Sequence, residues 1–240
     1  MKSYSEISNR YMKENKKRTI LTIMGIALAT VLIFAIGTFF FSFKDAMLLN
    51  ERSRGDYEFK INNLNSEQAK KVINNVEIKN GSIYFSGNTP YLIKGTERSA
   101  VIYKGDSNYY SKIKYEKIID GESPKADGEV VIDINVKKFL NVEKGDTITL
   151  ITEMGESQFK VVGITESGTY ISDAPLGIYT YLDENNLNSD DMYSAYVNIK
   201  SDKHKQKIID QVLNDANVEI TSQNKIENRE ILYLTGNGGD

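Results

Sequence analysis

The sequence predicts an α+β fold, with one N-terminal transmembrane helix followed by an extracytoplasmic domain of two βαβ-like units and a β-rich insert. Three observations predict it. Residues 19–43 are apolar and carry no charged side chain. A strand–helix–strand pattern follows at residues 56–85, and a second one returns at residues 193–221. Because the two units stand at the two ends of the domain, they are predicted to fold together as one α+β module that the insert divides in the sequence.

The apolar segment, residues 19–43, is long enough to cross a bilayer. Its 25 residues would span roughly 37 Å as a helix at about 1.5 Å per residue. Gly25 and Ala29 fit this interpretation, because small residues allow membrane helices to approach each other closely. A signal peptide cleaved near Ala29 is the alternative, but the apolar run continues well beyond that point. We therefore expect the helix to be retained.

Charges before this helix predict its orientation. Residues 1–18 carry six basic and two acidic side chains, a net +4, and Lys16, Lys17 and Arg18 directly precede the apolar run. Because the whole chain has a net charge of −3, the remainder carries −7. Positive charge favours the cytoplasmic side, so residues 1–18 are predicted inside the cell and the main domain outside. Residues 3–12 form either a short amphipathic helix on the inner membrane surface or a frayed tail.

The first half of the domain is predicted as follows. Residues 44–55 form a juxtamembrane stalk, in which Lys44–Asn50 extend the helix and Ser53–Gly55 end it. A strand begins at Asp56, Ser66 caps a helix over residues 67–75, and the chain extends again over residues 76–85 around a turn signal at Asn80–Gly81.

The second half repeats this order. Residues 193–199 alternate as a strand, Ser201 or Asp202 caps a helix that ends at Asp215, and residues 218–221 extend again. The split, porter-like module then comprises residues 56–105 and 186–230. The β-rich insert comprises residues 106–185, with strands at 128–133, 147–153 and 158–165 and a helix at 135–140. Residues 231–240 are expected to be a flexible end.

A search of the sequence for chemistry finds none. There is no cysteine and no P-loop, so we expect neither a thiol nucleophile nor nucleotide binding by this chain. The single histidine, His204, stands between two lysines on a polar helix face. Acidic pairs at 183–184 and 190–191 are expected to be solvated turns rather than a calcium site. The acidic balance of the main domain argues against nucleic-acid binding. No catalytic, cofactor-binding or metal residue is predicted, and the chain is not expected to be an enzyme.

Two stretches resemble a known family. The run IIDGESPKADGEVVIDINVKKFLNVEKGDTITL with the later FKVVGI is similar to the extracytoplasmic core domain of FtsX-like, MacB-type ABC transporter permeases. The earlier NKKRTILTIMGIALATVLIF resembles the first membrane helix of that family. The matching positions of the domain suit turns and strand ends, so a structural role is expected for them: Gly121, Pro124, Glu129, Gly145, Asp146 and Gly163.

The resemblance implies a permease subunit in the bacterial cell membrane. Its implied partners are membrane lipid, an ABC ATPase subunit on the cytoplasmic side and a second permease copy as a homo- or heterodimer. An extracytoplasmic adaptor, or a peptide, lipoprotein or cell-wall hydrolase as client, is implied outside. ATP hydrolysis is expected in the separate subunit.

Members of that family carry further membrane helices after the outer domain, and no second apolar run follows residue 43 here. We therefore expect a fragment that ends before the second membrane helix, with a degenerate single-pass relative as the alternative. A signal-anchored surface binding module without transport activity is a separate functional alternative.

The predicted orientation can be tested by cysteine labelling in intact cells. The natural chain contains no cysteine, so each introduced thiol is the only target. A cysteine at Ser201 should react with a membrane-impermeant maleimide, and a cysteine at Ser5 should react only after the cells are opened. The reverse labelling pattern would overturn the orientation.

Overall fold

The apolar segment lies in one continuous helix, α1 (Lys16–Arg54), of 39 residues. The computed structural model describes residues 10–11, 13–87, 89–113, 118–152, 155–166 and 176–238. Within these ranges α1 is the one helix long and apolar enough to cross a membrane, and none of its residues is buried. The predicted helical extension through Lys44–Asn50 and the break at Ser53–Gly55 are confirmed.

Threonines along α1 satisfy their hydroxyl groups within the helix itself. Thr22, Thr30 and Thr38 each donate to the carbonyl four residues earlier, at 3.0, 2.8 and 2.8 Å. A hydroxyl in a hydrocarbon environment is costly unless it is hydrogen-bonded, and this back-bonding supplies the partner. These three threonines are therefore compatible with lipid.

The chain divides near Met47 into this helical unit and a mixed α+β domain. In the described ranges the domain contains, in chain order, β1 (Phe59–Leu64), α2 (Ser66–Ile73), β2 (Ile78–Ser86), β3 (Tyr91–Ile93), β4 (Ser99–Gly105), a π-helical turn (Tyr109–Ile113), β5 (Ile118–Gly121), β6 (Glu129–Asp133), α3 (Ile134–Leu140), β7 (Thr147–Thr152), β8 (Gly155–Thr165), β9 (Leu176–Tyr181), β10 (Tyr193–Ile199), α4 (Lys205–Asp215), β11 (Lys225–Glu227) and α5 (Arg229–Leu234).

The two predicted βαβ units form one antiparallel sheet with the order β11–β1–β10–β2. Each helix joins two strands that have another strand between them, which is the split βαβ arrangement of ferredoxin-like folds. Residues of β1, β2, β10, α2 and α4 share one hydrophobic core, in which Phe59, Ile61, Val197 and Leu213 are fully or almost fully buried. The prediction of a split α+β module is confirmed.

The segment between β2 and β10 folds as a small barrel. Its strands follow the order β4–β3–β7–β8–β6–β9, and β9 pairs again with β4, which closes the ring. A second core fills it, with Val130, Ile132, Leu150, Val161 and Ile178 fully buried. The predicted β-rich insert is therefore a closed barrel. It includes β3 and β4, which the sequence had placed in the split module, because β4 pairs with both β2 and β9.

Both predicted helix caps were wrong. Asn65, not Ser66, caps α2: its side chain accepts from the Gln68 amide at 2.9 Å, and the Gln68 side chain accepts from the Asn65 amide at 3.1 Å. This reciprocal capping box satisfies two amides that the helix leaves free. At α4 the residue before the helix is His204, in a left-handed conformation with φ of 56° and without a side-chain capping bond.

Two predictions near the chain end also fail. The strand expected at residues 218–221 forms later in the chain, as β11 at Lys225–Glu227. Val218 instead lies just past the end of α4, where its amide donates to the Leu213 carbonyl at 2.9 Å. Residues 231–234, predicted to be flexible, belong to α5. Ile231 and Leu232 are buried there, so apolar contacts hold this helix against the domain.

The turn predicted at Asn80–Gly81 is absent, because both residues lie inside the continuous strand β2. Gly81 is needed there for another reason. A Cβ atom at this position would lie 2.8 Å from the Cβ and 2.9 Å from the Cα of Ile73 in α2. The glycine therefore allows the helix to pack directly on the strand.

The Gly81→Ala substitution should destabilise the protein by roughly 1–3 kcal/mol, because the added methyl group overpacks the contact with Ile73. Gly177→Ala is a matched control in β9, where the nearest atom to the new Cβ is 3.4 Å away. Calorimetric unfolding of the full chain in detergent measures both. An equal loss in the two variants, or none in Gly81→Ala, would contradict the packing argument.

Candidate functional site

The α+β domain begins with a tight segment, residues 52–58, which we call the N-terminal junction. The Gly55 amide donates to the Arg52 carbonyl at 3.1 Å, and the Arg52 Nε lies 3.3 Å from the Asp56 carboxylate. Gly55 is buried, and a Cβ atom there would come within 2.9 Å of the Tyr57 ring. These contacts hold the first residues of the domain in one conformation.

Glu58, at the end of this junction, forms a buried ion pair with Lys205, the first residue of α4. The two residues are 5% and 4% exposed, and the second Glu58 oxygen accepts from the Ile199 amide at 2.8 Å. A buried charge is tolerated only when it is paired and hydrogen-bonded, as both are here. The pair therefore connects the start of β1, the end of β10 and the start of α4.

Sequence reasoning missed this pair. Lys205 had been placed on a solvated helix face next to His204, and Glu58 was an ordinary polar position in an alternating strand. The two residues are 147 positions apart, so no local pattern connects them. Only the antiparallel pairing of β1 with β10 brings them together.

The chain leaves β11 through residues 227–231, which we call the C-terminal junction. The Asn228 amide donates to the Glu58 carbonyl at 2.8 Å, and the Asn228 side chain accepts from the Ile231 amide at 3.3 Å. Asn228 thus caps α5 and binds Glu58 at the same time. Both junctions are therefore attached at one residue of the domain.

Two solvent-accessible clefts lie beside the junctions. The smaller, of about 330 Å³, is lined by Glu51, Arg54, Gly55, Tyr57, Glu227, Asn228, Arg229 and Glu230. The larger, of about 710 Å³, lies between α4 and α5, where Lys225 pairs with Asp210 at 2.7 Å. Charged groups of both signs line the two clefts, which distinguishes them from the mostly apolar pockets that bind small molecules.

Tyrosines form a cluster on the sheet face opposite the helices. Tyr84 of β2 stacks on Tyr109 at a centroid distance of 4.9 Å, and Tyr103 of β4 stacks on Tyr179 of β9 at 5.4 Å. Burial raises the pKa of the Tyr84 and Tyr196 hydroxyls above the ordinary value. The cluster connects the split module to the barrel through these members: Tyr57, Tyr84, Tyr103, Tyr109, Tyr110, Tyr179 and Tyr196.

Two of the six signature residues predicted in the insert lie where β5 pairs closely with β8. Gly121 pairs with Gly163, and a Cβ atom on Gly121 would lie 2.1 Å from the Val162 carbonyl oxygen. A Cβ atom on Gly163 would lie 2.4 Å from the Glu122 carbonyl oxygen. Any side chain at either position would push the two strands apart.

The other four signature residues hold loops around the same strands. The Gly145 amide donates to the Val161 carbonyl at 2.8 Å, and the Asp146 carboxylate accepts from the Glu143 amide at 2.7 Å. The Glu129 carboxylate accepts from the Lys125 amide at 2.9 Å, and Pro124 is buried. These contacts support the structural role, which stays a prediction. The signature lies in the barrel and does not include the junctions.

The predicted membrane residues all lie in α1. Lys16, Lys17 and Arg18 are exposed at its start, and no atom lies within 4 Å of the position that a Cβ on Gly25 would take. Ala29 is exposed as well. Their roles in topology and in helix contacts stay predictions. Most of residues 3–12 fall outside the described residues.

The contacts at the junctions are ion pairs and backbone and side-chain hydrogen bonds. Within the described part of the chain, no three His, Cys, Asp or Glu side chains are placed to hold a metal ion. His204, the single histidine, serves as the residue before α4. The ion pairs and hydrogen bonds at the junctions can transmit displacement, because they link two ends of the domain to one sheet.

Similar folds occur among solved structures, two of them with a TM-score above 0.5. A domain of a protein assigned as a permease from Porphyromonas gingivalis has a TM-score of 0.52 at 10% identity, covering 70% of this chain and 81% of that one. The periplasmic region of MacB from Actinobacillus actinomycetemcomitans has a TM-score of 0.52 at 17% identity, covering 75% and 92%. The extracellular domain of the noncanonic ABC-type transporter YknZ from Gram-positive bacteria has a TM-score of 0.48 at 12% identity, covering 67% and 96%.

No curated protein sequence matches the chain. A family does: the one described as MacB-like periplasmic core domain matches residues 19–214. This match takes in the membrane-length part of α1, the split module up to α4 and the whole barrel. Because it covers well over half of the sequence, the chain belongs to the MacB-like periplasmic core domain family of ABC transporter permeases.

Proposed function

We propose that this chain is part of the membrane subunit of an FtsX/MacB-type ABC transporter and that its α+β domain transmits movement. ATP hydrolysis takes place in a separate cytoplasmic subunit. The domain passes the resulting conformational change to an external client, such as an antimicrobial peptide, a lipoprotein or a cell-wall hydrolase. The observation that carries the proposal is the attachment of both junctions at Glu58.

This attachment suits mechanical transmission for a physical reason. The chain before Glu58 leads back through Asp56 to α1. The Glu58 carbonyl accepts from the Asn228 amide at the C-terminal junction. The Glu58 carboxylate is fixed by Lys205 and the Ile199 amide, which belong to the core of the split module. A displacement of either junction is therefore applied to the whole sheet rather than absorbed by a loose linker.

The proposal includes an orientation and further partners. The basic residues before α1 lie in the cytoplasm, α1 lies in lipid, and the α+β domain lies outside the cell. The permease assembles as a homo- or heterodimer. An extracytoplasmic adaptor joins it where the client requires one.

The parent protein should co-purify with an ABC ATPase. We expect an affinity-tagged, full-length parent, extracted in mild detergent, to carry an ATPase subunit and measurable ATP hydrolysis. A single-pass membrane protein with the same tag and expression level is the control. Purification without any ATPase would instead favour the signal-anchored surface binding module.

Removing one partner of the buried ion pair should strongly destabilise the domain. Lys205→Met leaves the Glu58 carboxylate buried without its cation, which typically costs about 3–5 kcal/mol. Lys203→Met, at an exposed lysine two residues earlier, should be close to neutral. The double variant Glu58→Gln with Lys205→Met should regain most of the loss. Thermal unfolding of the full chain measures all three, and equal melting temperatures would contradict the role given to Glu58.

A further inference from the structure

The π-helical turn at Tyr109–Ile113, here called the π-turn, is firmly anchored to the sheet. Asp106, directly before it, is 1% exposed. Its carboxylate accepts from the Ser82 hydroxyl at 2.8 Å, the Ile83 amide at 2.7 Å and the Tyr109 amide at 2.8 Å. Three bonds to one buried carboxylate hold the start of the π-turn against β2.

Packing fixes the same turn from the other side. The Tyr109 side chain is 1% exposed and fills a space above Gly105, where a Cβ atom would lie 2.4 Å from the ring. π-Helical turns are rare, and many of those known occur at functional sites. This one is held in place by both a charge and an aromatic ring, so it can pass on a force applied to its end.

Two hydrogen bonds connect the π-turn to different parts of the domain. At its last residue, the Ile113 carbonyl accepts from the Asp56 amide of the N-terminal junction at 2.5 Å. The Tyr110 hydroxyl donates to the Thr180 carbonyl of β9 at 2.7 Å. The Thr180 hydroxyl in turn donates to the Glu129 carbonyl of β6 at 2.7 Å. A single chain of contacts therefore runs from the junction into the barrel.

We infer that the π-turn is the mechanical link between the N-terminal junction and the barrel, with Tyr110 as the positioning residue at the barrel end. Displacement at Asp56 pulls on Ile113, and Tyr110 passes it to β9 and then to β6. The biological meaning of the link rests on the proposed function. Its existence within the chain does not, so it can be tested without the ATPase.

The β2–β4 pairing joins the split module to the barrel by a second route, and the test has to separate the two. Tyr103 lies in β4 on that route and stacks in the same tyrosine cluster. Tyr103→Phe therefore removes a hydroxyl from the cluster without touching the Tyr110–Thr180 bond. It is the matched control for Tyr110→Phe.

Hydrogen exchange of the full chain in lipid nanodiscs, read by mass spectrometry, measures the link. Arg52→Met loosens the N-terminal junction by removing the ion pair with Asp56. In the wild-type and Tyr103→Phe backgrounds it should speed exchange of β9 and β6 by roughly two- to threefold, the lower end of the coupling between residues in one network. In the Tyr110→Phe background the barrel should not respond, although residues 55–58 still do.

A second variant divides the link further. Thr180→Val removes only the hydroxyl bond to Glu129 and leaves the backbone pairing of β9 with β6 in place. The response of β9 to Arg52→Met should therefore be unchanged, and the response of β6 should be smaller than in the wild-type background. A barrel response of equal size with Tyr110→Phe, or no response in the wild-type background, would overturn the inference. Loss of the ATPase association would overturn the proposed function and leave these exchange results unchanged, so the two failures are distinguishable.

Discussion

The α+β domain depends on one buried residue, Glu58. Its carboxylate pairs with Lys205 and accepts from the Ile199 amide, and its carbonyl accepts from the Asn228 amide. Glu58 thus contacts four elements through its side chain and backbone: β1, β10, α4 and the start of α5. Because an unpaired charge at a buried position is strongly unfavourable, these elements are stable only when they are present together. The constraint makes the two ends of the domain one mechanical unit.

From this unit the structure extends into the barrel through β4. This strand pairs with β2 of the split module and with β3 and β9 of the barrel, so one sheet passes from the first hydrophobic core to the second. The tyrosine cluster and the π-turn cover the same boundary. The two cores are therefore joined by one continuous sheet, as the proposed transmission of movement requires.

The signature of the family and the junctions that support the proposed function lie in different places. Gly121 and Gly163 lie where β5 pairs closely with β8, and Gly145 and Asp146 make hydrogen bonds in the loop before β7. A Cβ atom at Gly121 or Gly163 would meet a backbone oxygen on the other side of the β5–β8 pairing, which supports the predicted structural role. The junctions instead use ordinary residues, such as Asn228, whose importance comes from what the fold places next to them. A motif search therefore finds the family but not the site.

Local pattern alone determined the long apolar helix, the split module and the presence of a β-rich insert, because uncharged length and the spacing of apolar residues act over a few neighbouring positions. It also identified the family. Tertiary packing decided four features that local pattern did not predict. They are the residues before α2 and α4, which are Asn65 and His204, the continuous strand β2 at Gly81, and helix α5. The pair between Glu58 and Lys205 and the link through Tyr110 join residues far apart in the chain. Only the tertiary structure decided them, since pairing of distant strands sets which polar groups lose water and must find partners.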